Sequence, residues 1–176
     1  MQHTITVLVE NKPGVLARVA SLFARRGFNI ASLAVSITDD PTVSRITLVA
    51  EGDDQTLAQI VKQTDKLIDV VRVADYTGKV VLQRELALVK VAAPPESRQA
   101  IMQIADVFRA NIVDMSPEDT FTLEVTGEPE KIEAIQRLLH PYGIKETVRT
   151  GTIVMARGAT TAYGEGGVSA PMLEGR

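Results

Sequence analysis

The stretch Glu10-Asn11-Lys12-Pro13-Gly14-Val15-Leu16-Ala17-Arg18-Val19 runs on as Ala20-Ser21-Leu22-Phe23-Ala24-Arg25-Arg26-Gly27-Phe28-Asn29-Ile30 and decides the reading of the chain. Before it, Thr4 to Val9 is short, apolar and β-branched, the pattern of a strand. Pro13-Gly14 breaks that strand. Val15, Leu16, Val19, Leu22 and Phe23 then recur at helical spacing. Arg25 and Arg26 suit the negative end of a helix dipole, and Gly27 suits its stop. Ile30 opens a second apolar strand.

The chemistry of this stretch lies at its turn. A helix beginning near Gly14 directs unpaired N–H groups and partial positive charge at whatever sits over the loop, which favours a carboxylate or phosphate. Gly14 has no Cβ to hold a ligand away. Asn11 and Asn29 each carry a donor and an acceptor. Asn29 follows the far end of the helix, about 20 Å from Gly14 at ~1.5 Å per residue, so one ligand touching both needs a second chain. The residues alone favour a blander account: a Pro-Gly turn, with each Asn bonded to local backbone.

Outward from this stretch, Ile30–Thr38 and Val43–Ala50 flank Asp39-Asp40-Pro41, a predicted hairpin. Asp53 or Asp54 suits a helix N-cap. Leu57, Ile60 and Val61 form a helical face ending near Lys66, and Ile68 to Val73 is a further strand. The order β-α-β-β-α-β is the ferredoxin-like unit. Tyr76 to Lys79 reads as linker, and the order then repeats through Leu86–Ala92, a helix with Ile101, Ile104, Ala105 and Phe108, two strands around Ser116-Pro117-Glu118-Asp119, a helix with Ile132, Ile135, Leu138 and Leu139, and Ile144–Val148. Gly52, Leu57 and Ile60 match Gly127, Ile132 and Ile135 at one offset, and Phe28-Asn29-Ile30 has a counterpart in Ala110-Asn111-Ile112. The second half carries Ala92-Ala93-Pro94-Pro95 where the first has its Asn-x-Pro-Gly turn. The fold class expected is α+β, two tandem βαββαβ domains: residues 1–76, a linker over 77–83, residues 84–157, and a mobile tail over 158–176 rich in Gly, Ala, Ser and Thr.

Composition narrows the function. The 176 residues carry a net charge of −3 and no basic block, which opposes a nucleic-acid partner. There is no cysteine, so disulfides, thiol catalysis and thiolate metal sites are excluded. No secretory signal and no apolar run of ~18 residues is visible, which points to a cytoplasmic protein without a membrane anchor. The two histidines, His3 and His140, stand at a chain end and before Pro141, read as surface positions without triad or metal-ligand spacing. Asp39-Asp40 and Asp53-Asp54 read as turn and cap residues rather than a cation site. An RNA-binding module would stack bases on sheet aromatics, and Phe121 is nearly alone in that role. The strands Ala34–Ile37 and Ile46–Val49 are apolar on both faces, so the sheet face away from the helices should be covered, most simply by another copy.

Glu10 to Val19, Leu22 to Ile30 and Ser44-Arg45-Ile46-Thr47 closely resemble the N-terminal ACT domain of the acetolactate synthase (acetohydroxyacid synthase) small, regulatory subunit, and Gln83 to Val91 resembles the start of that family's second domain. The resemblance implies a subunit without catalysis of its own that homodimerises through its ACT domains. It implies activation of the catalytic large subunit and feedback inhibition by valine, or a related branched-chain amino acid, within branched-chain amino-acid biosynthesis. By matching positions, Asn11, Gly14, Val15 and Leu16 would take the ligand carboxylate, and Asn29 and Ile30 of the neighbouring chain its ammonium and side chain. It implies no cofactor on this chain; thiamine diphosphate, Mg and FAD would belong to the large subunit. The alternative within the same fold is a free-standing ACT-type sensor acting on a different enzyme.

Overall fold

The computed structural model describes residues 2–162, 164 and 165, and divides into two units: Met1–Leu82 with Thr152–Arg176, and Gln83–Gly151. In the first unit, β1 (Gln2–Glu10) leads to α1 (Val15–Arg25), the hairpin β2 (Asn29–Ile37) and β3 (Val43–Glu51), then α2 (Asp54–Thr64) and β4 (Val70–Asp75). The four strands lie antiparallel in the order β2-β3-β1-β4, so the second and third strands flank the first on one side and the fourth closes the other. Both helices bury their apolar stripes on one face. Val15, Val19 and Phe23 of α1 and Leu57 and Ile60 of α2 share one core with Ile5, Val7, Val9, Ile46, Leu48 and Ala50. Phe23 is fully buried, a position where truncation to Ala costs about 3–5 kcal/mol.

The ends of these elements follow their residues. Asp53 caps α2, its carboxylate accepting from the Thr56 N–H at 2.8 Å. Gly52 is required by packing: a Cβ there would meet the Phe28 ring at 2.1 Å.

The second unit repeats the order with β5 (Val81–Ala92), α3 (Pro95–Phe108), β6 (Asn111–Ser116), β7 (Thr120–Gly127), α4 (Pro129–Leu139) and β8 (Ile144–Arg149), paired β6-β7-β5-β8. Ile101, Ala105, Ile132, Ile135 and Leu139 pack on Ala87, Val89, Val91, Phe121, Leu123 and Val125. The repeat extends to irregularities: the pairing of β2 slips between Ile30 and Ser32, and that of β6 between Ile112 and Asp114. The tandem α+β arrangement is as expected. β5 begins at Val81, within the stretch read as linker.

Four local expectations differ. Ile68 is not in a strand but in the turn before β4, and is 89% exposed. His3 is not a surface residue; it is 1% exposed. The strand starts at Gln2 rather than Thr4, so the two-residue alternation carries His3 to the same side as Ile5 and Val7. Its Nε2 lies 3.2 Å from the Gly52 carbonyl and 3.4 Å from Asp54 Oδ1. Part of the sheet face away from the helices, expected to be covered by another copy, is covered by the chain's own Thr152–Ala162. The Thr152 N–H donates to Ser32 Oγ at 2.8 Å, Arg45 donates to the Val154 carbonyl, and Ala162 packs with Leu8 and Val43. Within that segment lies β9 (Ile153–Ala156), followed by the small hairpin β10 (Thr160–Thr161) and β11 (Gly164–Glu165), so the start of the expected tail is ordered. The expectation for residues 166–176 lies outside the described residues.

Candidate functional site

The chain leaves β1 and enters α1 through Asn11 to Gly14, and a neighbouring turn holds this passage. The Asn11 N–H donates to the Thr42 carbonyl at 2.7 Å, and its Nδ2 donates to the Pro41 carbonyl at 3.0 Å. Both acceptors belong to the β2–β3 turn, which Asp40 shapes by accepting from the Thr42 N–H at 2.8 Å and its hydroxyl at 2.6 Å. These bonds hold the Asp40 carboxyl below the usual carboxylate range. Gly14 sits at φ +83°, the left-handed region that costs an L side chain about 1–2 kcal/mol.

No side chain caps α1, and its first turn carries no acid, whereas α2, α3 and α4 carry Asp54, Glu96 and Glu130 there. Val15 N–H reaches the Lys12 carbonyl only at 3.4 Å. Among the described residues the N–H groups of Gly14 and Leu16 meet no acceptor. Flanking cations are already matched: Lys12 Nζ lies 2.5 Å from Glu10 Oε2, which raises the lysine pKa, and Arg18 lies 2.6 Å from Asp69. An anion here is therefore addressed by backbone N–H groups and the helix dipole. Val15 is buried in the core and Leu16 faces solvent beside the turn.

The sequence-derived positions fall into two groups. Asn11, Gly14, Val15 and Leu16 gather at the end of the sheet where β1 and β2 finish. Asn29 and Ile30 open β2 at the other end, where Asn29 stands opposite Glu51 and Glu51 opposite Gln2. The Asn29 Oδ1 accepts from the Ile30 N–H at 3.4 Å, and Ile30 packs against the core. One chain does not bring the groups together. Pro41 and Thr42 were missed as parts of the site; the signal was the Asp40-Pro41 turn itself, read only as a connection.

The corresponding place in the second unit is closed. Pro94 and Pro95 supply no N–H at the start of α3. Arg98 lies across it, donating to the Ala93 carbonyl at 3.0 Å and to Asp119 at 2.7 Å. The described residues hold no cluster of three or more potential metal-ligating His, Cys, Asp or Glu. No described helix is long and apolar enough to cross a membrane.

An open helix start on the first unit, a closed one on the second and two βαββαβ sheets define a tandem protein with an ACT-type domain in front. Comparison with known proteins gives it a place. Residues 5–72 match the AHAS small subunit-like ACT domain, and residues 84–158 match the small subunit of acetolactate synthase. The probable acetolactate synthase small subunit of Archaeoglobus fulgidus is 54% identical over 158 residues, covering 90% of this chain and 98% of that one. The acetolactate synthase small subunit of Mycolicibacterium smegmatis is 50% identical over 156 residues, covering 89% and 91%. The crystal structure of the small subunit from Thermotoga maritima superposes with a TM-score of 0.82 at 41% identity, covering 90% of this chain and 98% of that one. The chain belongs to the acetolactate synthase small-subunit family, and is thus a non-catalytic, regulatory subunit that partners a large catalytic one.

Proposed function

We propose that this subunit activates its thiamine-diphosphate-dependent catalytic partner and confers feedback inhibition by valine, held between the first units of two copies. The observation that carries the reading is the uncapped start of α1, where Gly14 at φ +83° exposes N–H groups that no described residue satisfies. Valine is a zwitterion with a small branched side chain. Its carboxylate suits those N–H groups, and its ammonium needs acceptors from elsewhere.

A second copy supplies them through β2. This strand lies at the sheet edge, and Leu33, Val35 and Ile37 are 38%, 44% and 60% exposed along it. Exposed apolar residues on an unpaired edge favour strand addition, and covering each side chain fully contributes about 1.5–3 kcal/mol. Antiparallel pairing of β2 with its symmetry mate centred near Leu33 sets Asn29 of one copy beside Ile37 of the other. Ile37 leads directly into the turn that holds Asn11. The two groups of site residues thus meet across the pairing, with Asn29 and Ile30 of the second copy over the helix start of the first. Thiamine diphosphate, Mg and FAD belong to the catalytic partner.

The test is valine titration of the complex reconstituted from this chain and its catalytic subunit, for wild type and for Gly14→Asp. The substitution puts a Cβ and a like charge where the ligand carboxylate binds. Inhibition should disappear while activation of the partner stays near wild type. Undiminished inhibition in the variant refutes the site.

A further inference from the structure

The contact boundary between the two units falls at Gly151 and Thr152, and β9 just beyond it still pairs with β5. Thr150 still belongs to the second sheet: its N–H donates to the Leu86 carbonyl at 3.0 Å, and its hydroxyl accepts from the Leu86 N–H at 3.1 Å. Thr152 already belongs to the first unit, buried, with its N–H on Ser32 Oγ at 2.8 Å. Between them Gly151 adopts φ +83°, a conformation that suits glycine. Two residues further on, the Val154 carbonyl accepts from Arg45 of β3, the strand paired with β2.

The acceptor for Thr152 has a particular position. Ser32 follows the slip in β2 pairing, two residues after Ile30 and three after Asn29. A slipped residue interrupts the ladder and lets the strand re-aim locally. Ser32 Oγ is thus the polar atom through which the strand carrying the second half of the effector site grips the segment that emerges from the second unit. Most of the face around it is closed: Thr6, Leu8 and Thr47 are buried there, so the grip sits in a packed region that does not deform smoothly.

We infer that Ser32 is a coupling residue: its bond to the Thr152 N–H transmits the state of the Asn29–Ile30 end of β2 to the second unit through Gly151, without Ser32 touching the effector. The inference rests on the valine reading above. Coupling of this kind is a difference in ligand affinity between two arrangements, so a variant can lose it while keeping binding.

The experiment uses the full chain, alone for calorimetry with valine and for hydrogen exchange, and reconstituted with its catalytic subunit for inhibition. Ser32→Ala removes the acceptor. Its Kd for valine should stay within about twofold of wild type, while the valine concentration for half-inhibition rises about tenfold or more. Activation of the partner should be unchanged, and the valine-dependent change in exchange over residues 144–150, present in wild type, should vanish. Ser32→Thr keeps a hydroxyl and should restore both responses. If Ser32→Ala is inhibited normally and keeps the exchange response, the coupling role is overturned and the effector site stands. A loss of affinity in step with the loss of inhibition also overturns it, because Ser32 then supports the site itself. Should wild type show no valine binding, the effector reading fails and the coupling with it.

Discussion

Asn11 Nδ2 donates to the Pro41 carbonyl at 3.0 Å, so the residue that leads into α1 is bound to the turn that ends β2. This single bond joins the start of the helix to the sheet edge on which a second copy would pair. The Asn11 amide is therefore partly spent within the chain, and its contribution to a ligand is first to hold the turn in place. Its side-chain oxygen has no bonded partner among the described residues and is left for the ligand side.

Asn11→Ala removes one hydrogen bond to an exposed carbonyl, a loss of about 0.5–1.5 kcal/mol in stability. Valine affinity should fall further than that loss alone explains, because the turn and the helix start are no longer held together. Asn11→Asp keeps the shape but sets a carboxylate against the Pro41 carbonyl and the ligand carboxylate, so it should bind more weakly still. Calorimetry on both variants orders them; an Asp variant that binds as well as wild type removes Asn11 from the site.

Asn29 has a separate role to test. It is exposed in one chain, and among the described residues its side chain is bonded only to the Ile30 N–H at 3.4 Å, so Asn29→Ala should leave the monomer's stability almost unchanged. If it meets the valine ammonium across the pairing, its loss costs about 1–3 kcal/mol of binding, roughly 5- to 150-fold in Kd. Unchanged affinity in calorimetry removes it from the ligand set.

The core was legible because its periods are regular. Helical spacing points Val15, Val19, Phe23, Leu57, Ile60, Ile132 and Ile135 inward, where the structure buries them, whereas Leu16 and Leu138, read on the same faces, are 40% and 49% exposed. Gly52 and Gly127 aligned in sequence because each lies where a strand turns into a helix under an overlying side chain, Phe28 in one unit and Lys131 in the other. What sequence did not reveal were contacts between distant segments. Ser32 and Thr152 are separated by 120 residues, and neither carries a motif. An apolar, two-faced strand announces that something covers it but not what, and here the chain itself does so in part. His3 was misread through the strand boundary, where a shift of two residues turned a terminus into a core position. The helix start could be read as an anion site, whereas the turn that holds it could not, since Pro41 and Thr42 act through backbone carbonyls that any residue possesses.

The second unit contains an ion pair that should govern its stability. Glu85 is 4% exposed, and Arg149 from the adjacent strand β8 donates to both its oxygens, one bond being 2.8 Å. The carboxylate raises the Arg149 pKa further, so the guanidinium is charged at every practical pH. Arg149→Met leaves the buried carboxylate unpaired. Full burial of both groups would make that loss ~3–5 kcal/mol; with Arg149 about one third exposed, about 2–3 kcal/mol is expected. Glu85→Gln with Arg149→Met should recover part of it. Urea denaturation of the two variants measures both, and a stability for Arg149→Met equal to wild type rejects the account.

Acid should loosen the first unit through its two structural aspartates. The Asp53 carboxylate accepts from the Thr56 N–H, and Asp40 accepts from Thr42; both hydrogen bonds lower the pKa of their acid below its ordinary value. A carboxyl depressed in the folded state contributes stability that is complete above the unfolded pKa, about 3.9, and is lost as pH falls through the lower folded value. Between pH 7 and 5 neither contribution changes. Below about pH 4 both decline, and the α2 cap and the β2–β3 turn weaken together. Asp53→Ala should therefore melt below wild type at pH 7, with the gap narrowing as the pH is taken under 4. Asp40→Ala should behave the same way and should also weaken valine binding at neutral pH, since Asp40 shapes the turn that carries Pro41. Thermal melts from pH 7 to 2.5 decide the matter: a gap that stays constant across that range would show that neither carboxylate contributes through its charged form.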